Sequence, residues 1–338
     1  MKLLVLGGTV FLGRHLVEEA LARGHEVTLF NRGRHNPQLF PGVEKLRGDR
    51  GGDLAALRGG RWDAVVDTSG SIPREVRASA GLLAEAVEHY TVVSTLAVYA
   101  AFPRVPGIDE SFGLAEAVDP EAGEAGFRSV GPLKALCERA AETALPGRVL
   151  AVRAGLLAGP HDPTDRFTYW PARVARGGDV LAPAGPEHPV QLVDARDLAA
   201  WIVRMAERRA TGAFNATGPA APLTLGELLR TCRDECGSDA RFVWVDEDAL
   251  VEAGIGRRME LPLFIPGAPG AARVRCARAL EAGLRFRPLV ETVRDTRRWD
   301  AGRSPDRPRR AGLDPTREAA LLGALTPRRP APAVPGAH

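Results

Sequence analysis

The stretch that decides the fold is Leu3-Leu4-Val5-Leu6-Gly7-Gly8-Thr9-Val10-Phe11-Leu12-Gly13, at the start of a 338-residue chain. Four consecutive apolar residues read as a strand buried on both faces, and the glycines turn it. Past the turn, Leu12, Leu16 and Ala20, with Val17 and Leu21, recur at helical spacing. Strand, glycine turn and helix in this order bring backbone N–H groups and a helix N-terminus to one point, where they can hold a pyrophosphate. Gly7 permits the tight turn, Gly13 lets the helix approach the strand, and Thr9, Val10, Phe11 and Leu12 complete the cradle. In Gly-x-x-Gly-x-x-Gly spacing the middle position is Val10, whose branched Cβ narrows the phosphate approach; Gly8 restores part of that room.

Outward from the turn the alternation continues. His25–Phe30, Val43–Leu46, Ala64–Val66, Tyr90–Thr95 and Arg148–Arg153 read as further strands, with helices from Pro73 to Glu88 and Ser129 to Leu145. Short apolar strands separated by amphipathic helices predict an α/β fold, a Rossmann-type doubly wound parallel sheet with ligands at the carboxyl ends of its strands. The dinucleotide-binding core is expected over 1–155, with a lid-like loop over 102–128 that carries Pro103, Pro106, Asp119, Glu121 and Glu124. A smaller C-terminal substrate lobe, interleaved with the core, is expected over 156–300, with helices at Tyr169–Arg176, 195–208 and 224–235. The rest, 301–338, reads as an Arg/Pro-rich tail with one helix at Leu313–Leu325 and a disordered end from Thr326.

Strand ends suggest what the site holds. After the second strand comes Asn31-Arg32-Gly33-Arg34, where an acid would bind the 2′-hydroxyl of NAD. Asparagine followed by arginines favours NADP over NAD, with Arg32 and Arg34 as phosphate partners. Asp49 and Arg50 follow the third strand and are placed towards the adenine; Thr68, Ser69 and Gly70 follow the fourth and border the nicotinamide ribose.

Composition sets limits. Hydrophobic residues at 45% and charged residues at 26% exclude a wholly disordered chain. With 45 basic against 42 acidic side chains the net charge is +3, which argues against a nucleic-acid partner. No apolar run approaches the ~18 residues of a membrane span, and the N-terminus reaches glycine too soon for a signal peptide. Cys137, Cys232, Cys236 and Cys276 lack the ligand spacing of a metal site and point to thiols in a reducing cytoplasm.

At this point the chain resembles a family, the extended and atypical short-chain dehydrogenase/reductases of the NAD-dependent epimerase/dehydratase group, over about residues 1–300. The markers are Gly7–Gly13, Ser94-Thr95-Leu96-Ala97-Val98-Tyr99, Gly131-Pro132-Leu133-Lys134, and the run Gln191 to Ala199 with Asp194, Arg196 and Asp197. The resemblance implies an NAD(P)-dependent enzyme acting on a polar small molecule, a sugar nucleotide or specialised metabolite, in reductase, epimerase or dehydratase chemistry. It also implies a catalytic hydroxyl, a tyrosine and a lysine, the last two spaced Tyr-x-x-x-Lys, and pairing of two copies through helices beside the site. Thr95, with Ser94 beside it, matches the hydroxyl, and Lys134 matches the lysine that also holds the ribose.

Four residues before Lys134 stands Val130, and the three tyrosines are Tyr90, Tyr99 and Tyr169, none of them in that spacing. Valine moves no proton. The replacements on offer are Tyr99, near Thr95, and His161, Asp165 and Tyr169 in the titratable stretch after the sixth strand, where Arg166 can clamp an anionic substrate. Val130 and Arg196 complete the candidate substrate wall, although Asp194, Arg196 and Asp197 also suit an ion-pair network. Two alternatives stay open: a non-redox cyclisation, elimination or isomerisation on the same fold, and a non-catalytic or RNA-binding role carried by Arg297–Arg310.

Overall fold

The computed structural model describes residues 1–116, 126–255, 259–304 and 306–325. Seven strands form one parallel sheet: Lys2–Leu6 (β1), Glu26–Asn31 (β2), Glu44–Arg47 (β3), Ala64–Asp67 (β4), His89–Thr95 (β5), Val149–Ala154 (β6) and Gly212–Ala216 (β11). Their order across the sheet is β11-β6-β5-β4-β1-β2-β3, and every pairing is parallel. Chain direction across the sheet therefore switches between β1 and β4, and a crevice opens beyond their carboxyl ends. The doubly wound α/β fold follows the strand pattern of the sequence.

Helices cover both faces, as continuous apolar strands require. Phe11–Ala22 (α1) and Ala195–Glu207 (α5) pack on one face through Leu16, Val17, Trp201 and Ile202. Pro73–Leu83 (α2) and Gly126–Ala144 (α3) cover the other through Val76, Leu83, Cys137 and Ala141. Leu3, Leu4, Val5 and Leu6 are fully buried between the layers, each contributing about 1.5–3 kcal/mol by burial. Helix α2 stops at Leu83, short of Glu88, because the chain must already be extended at His89 to pair with β4. The strand β11, with the sequence Gly-Ala-Phe-Asn-Ala, carries little strand propensity; its register with β6 holds it in the sheet. With α5 it shows how the later sequence returns to the core.

The second lobe gathers the shorter elements: Leu157–Ala158 (β7), Tyr169–Ala175 (α4), Asp179–Pro183 (β8), Pro189–Val190 (β9), Val193–Asp194 (β10), Leu223–Thr224 (β12), Leu225–Cys236 (α6), Arg241–Val245 (β13), Glu247–Glu252 (α7), Ala277–Glu281 (α8), Leu289–Ala301 (α9) and Pro315–Leu325 (α10). Thr224 and Glu227 start α6 with a reciprocal capping box. Trp170, Val180, Leu228, Val293, Leu313 and Leu321 belong to one buried cluster, so α9 and α10 are part of this lobe's core. The arginine-rich run from Arg297 thus begins inside α9, and Thr326–His338 lies outside the described residues.

The expected 102–128 loop ends earlier than the sequence suggests, because α3 already begins at Gly126 rather than Ser129. Its described part, up to residue 116, is tied to residues 270–275 by Gly107 N–H to Arg273 O (2.7 Å) and Arg275 N–H to Ile108 O (2.8 Å). Asp119, Glu121 and Glu124 lie outside the described residues. Among the described residues no helix is long and apolar enough to cross a membrane, and the four cysteines are free thiols.

Candidate functional site

The crevice at the switch point is a cavity of about 640 Å³ lined by the glycine turn, the ends of β2 and β4, and Asp49. Gly7 and Gly8 stand at φ +111° and +90°, which side-chain-bearing residues rarely adopt. A Cβ on Gly13 would lie 2.9 Å from the Gly8 nitrogen, so helix α1 can approach the turn only with glycine there. Val10 is the N-cap of α1 and supplies no side-chain cap; Gly13 N–H donates to the Val10 carbonyl at 3.0 Å, and the Phe11 and Leu12 N–H groups ahead of it face a ligand uncapped. Its side chain is 41% exposed, and the cavity beside it stays open despite the branched Cβ. A dinucleotide phosphate fits this cradle.

Asn31 works differently from the acid it replaces. Its Nδ2 donates to the Gly7 carbonyl at 2.8 Å, and its Oδ1 accepts from Gly33 N–H at 2.9 Å and from the Arg47 guanidinium. Asn31 thus braces the turn and holds Arg47 beside Gly33. Arg32 and Arg34 line the same edge, with Arg32 only loosely near Asp49 at 3.9 Å. Three guanidinium groups therefore gather at the end of β2. Arg47 is the one the sequence reading missed; the parallel register that pairs it with Asn31 was the available signal.

Beneath the cavity lies a buried ion pair. Arg50 donates to Asp67 Oδ1 at 2.5 Å, Ser69 Oγ at 3.2 Å and Ser79 Oγ at 2.8 Å, and Tyr90 Oη donates to Asp67 Oδ2 at 2.9 Å. Burial works to raise the Asp67 pKa, but the Arg50 guanidinium holds it below the usual carboxylate range. Arg50 lines the cavity with its guanidinium engaged below; Gly70 packs against the Asp67 carboxylate. Thr68 and Ser69 fix the wall by donating to the Leu6 carbonyl.

At the other end, Lys134 on α3 donates to the Val93 carbonyl at 2.7 Å, one strand residue before Ser94. Burial lowers its pKa, with Asp67 opposing that shift. Thr95 closes β5, its Oγ1 accepting from Ala97 N–H at 3.3 Å, while Ser94 Oγ is buried with no hydrogen-bond partner among the described residues. Gly131 packs directly on the Ala97 carbonyl, which sets Val130, 41% exposed, beside the turn after Thr95. Thr95, Val130 and Lys134 thus cluster around the end of β5 beside Val93, which lines the cavity, although none of the three is itself a lining residue.

It does not bring the other catalytic candidates there. Tyr99 is buried, donating to Asn215 Oδ1 at 2.6 Å and accepting from Arg153 at 2.9 Å, with Arg153 bonded to Glu138. Asp165 is 1% exposed and pairs with Arg303 at 2.5 Å and the Arg310 N–H at 2.9 Å. Tyr169 is buried in the second lobe beside Trp170, and burial raises its pKa. Arg166 bonds Thr164 Oγ1 at 3.2 Å. Arg196 pairs with Asp194 at 2.8 Å and Asp295 at 2.6 Å, while Arg287 pairs with Asp197; this is the ion-pair network rather than a substrate wall. His161, at φ +70°, sits between His15 and Trp299 with Arg14 at 3.3 Å, and burial with the nearby Arg14 and His15 lowers its pKa to about 4. Each is anchored by packing or pairing that a linear sequence does not display.

Comparison with known proteins gives the same outline. The model of the NAD dependent epimerase/dehydratase family matches residues 3–216. The chain is similar to the Epimerase family protein SDR39U1 of Bos taurus, 28% identical over 303 residues, 85% of this chain and 95% of that protein. It is also similar to the Chloroplast stem-loop binding protein of 41 kDa b of Arabidopsis thaliana, 26% identical over 254 residues, 68% of this chain and 62% of that one. Among solved structures, human SDR39U1 (isoform 2) with NADPH superposes with a TM-score of 0.58 at 22% identity, covering 88% of this chain and 99% of that one.

Proposed function

The chain belongs to the NAD dependent epimerase/dehydratase family, and from that premise we propose that it is an NADP(H)-dependent enzyme of the reductase, epimerase or dehydratase type acting on a polar small molecule. The observation that carries the cofactor preference is the group of Arg32, Arg34 and Arg47 around Asn31, with no carboxylate where an NAD-binding acid would stand. A 2′-phosphate suits guanidinium forks, and the similar human protein is described with NADPH.

The glycine turn and α1 hold the pyrophosphate, and the Thr68–Ser69 wall with Lys134 borders the ribose. Bound there, the nicotinamide supplies a hydride donor or acceptor. Thr95 orients the substrate oxygen. Lys134, its pKa lowered by burial, holds a proton at Nζ and steadies a water beside Thr95. Val130 takes the place of the family's tyrosine and moves no proton, so that water carries the proton between substrate and solvent. The substrate is a small molecule, the compartment a reducing cytoplasm, and two copies pair through helices beside the site.

The test is titration of the purified chain with NADPH and NADH, followed by protein fluorescence. NADPH is expected to bind at least ten-fold more tightly, and Arg32→Ala with Arg34→Ala to weaken NADPH 10- to 100-fold while leaving NADH within about two-fold. Equal affinity for both nucleotides in the parent protein would sink the preference; binding of neither would sink the enzyme reading. A second reading, recognition of RNA, rests on the similarity to the stem-loop binding protein. It predicts affinity for a stem-loop RNA that falls steeply with salt and weakens when the exposed Arg298 and Arg310 are replaced by glutamine.

A further inference from the structure

The C-terminal segment closes a second cavity, of about 500 Å³, that shares no lining residue with the cofactor crevice. Its walls come from α4, the end of α9 and residues 307–315, and five arginines line it: Arg173, Arg176, Arg303, Arg307 and Arg309. Three of them are neutralised. Arg173 pairs with Glu318 at 2.5 Å, Arg303 with Asp165 at 2.5 Å, and Arg309 with Asp300 at 2.7 Å. The other lining acid, Asp314, accepts from the Thr316 N–H at 2.9 Å and caps α10.

Arg176 and Arg307 form no ion pair with any described residue. Both are exposed at the mouth; partial burial together with Arg173 and Arg309 lowers the Arg176 pKa, with Glu318 and Tyr169 opposing that shift. Two guanidiniums without an ion-pair partner among the described residues match a phosphate monoester, which carries about 1.5–2 negative charges near neutral pH. The cavity is larger than inorganic phosphate needs and falls in the range of small-ligand sites, and Tyr169, Pro308 and Pro315 give it apolar wall.

We propose that this cavity is a second ligand site, taking a phosphate-bearing small molecule whose phosphate is held by Arg176 and Arg307. The ligand bridges α4 to the C-terminal segment, so binding stabilises the packing of residues 307–315 on the second lobe. This site stands or falls independently of the cofactor crevice.

The probe is inorganic pyrophosphate, titrated calorimetrically into the full-length chain at constant ionic strength with NADPH at saturation, so that the glycine turn is already occupied. A saturable site is expected in the parent protein, with a rise in Tm at saturation. Arg176→Gln with Arg307→Gln is expected to weaken that site at least ten-fold, while Arg32→Ala with Arg34→Ala leaves it within two-fold. Because neither Arg176 nor Arg307 joins an ion pair, the double variant keeps the parent Tm without ligand, and Arg307→Glu alone gives a second, charge-reversing check. Absence of saturable binding, or binding that survives the double variant or moves only with Arg32 and Arg34, overturns the proposal.

Discussion

The dinucleotide crevice and the candidate catalytic cluster beside it are built on different principles. At the dinucleotide end the ligand groups are backbone N–H atoms and exposed arginines, set by a glycine turn at the edge of a buried sheet. At the proposed catalytic cluster the chemistry must come from side chains, and most titratable candidates of the sequence are engaged elsewhere: Tyr99 with Asn215, Asp165 with Arg303, Arg196 with Asp295. Backbone geometry is local and survives change in the side chains around it. A side chain's availability depends on what the rest of the chain leaves unpaired.

The largest expected effect breaks this contrast if it fails. Asp165→Ala removes the buried carboxylate that holds Arg303 and the Arg310 N–H, leaving Arg303 only Asp300 at 3.1 Å, and is expected to destabilise the second lobe by about 3 kcal/mol, read as a lowered midpoint in chemical denaturation. A wild-type midpoint with lost turnover would instead return Asp165 to the catalytic set.

Gly13→Val tests the other end. Its Cβ would press on the Gly8 backbone at 2.9 Å, so the turn must open; NADPH affinity is expected to fall at least 100-fold, with about 1–3 kcal/mol of overpacking strain. Unchanged affinity would show that the turn does not hold the phosphate.

A smaller effect concerns His161. Arg14, His15, Glu18 and Trp299 surround it, and its pKa of about 4 lies below the ordinary 6.5. Between pH 6.5 and 4 the unfolded chain takes up the proton that the folded one refuses, so stability falls as pH drops through that window. His161→Gln should flatten denaturation midpoints over this range. A slope identical to the parent's would mean His161 titrates normally.

The smallest stability change is expected from Val130→Tyr, within about 0.5 kcal/mol, because the site is exposed. This variant sharpens the comparison through activity. Greatly raised dehydrogenase turnover would show that the hydroxyl position is intact and only its proton carrier is missing; loss of a native activity would favour the non-redox alternative.

Much of the fold and of the cofactor end was legible in the chain itself. Leu3–Gly13 dictates a strand, a turn at positive φ and a helix because each follows from residues within a few positions of one another. The gap at Val130 is equally a matter of spacing. What only the tertiary structure decided was which side chains are available. Asp165 meets Arg303 across 138 residues, Tyr99 meets Asn215 across 116, and Arg173 meets Glu318 across 145. The strand β11 joins the sheet by register rather than propensity, and Arg47 reaches the cofactor edge by pairing with Asn31. The physical reason is range. Backbone conformation answers to near neighbours, whereas burial, charge pairing and cavities are made by segments that meet only when the whole chain has folded.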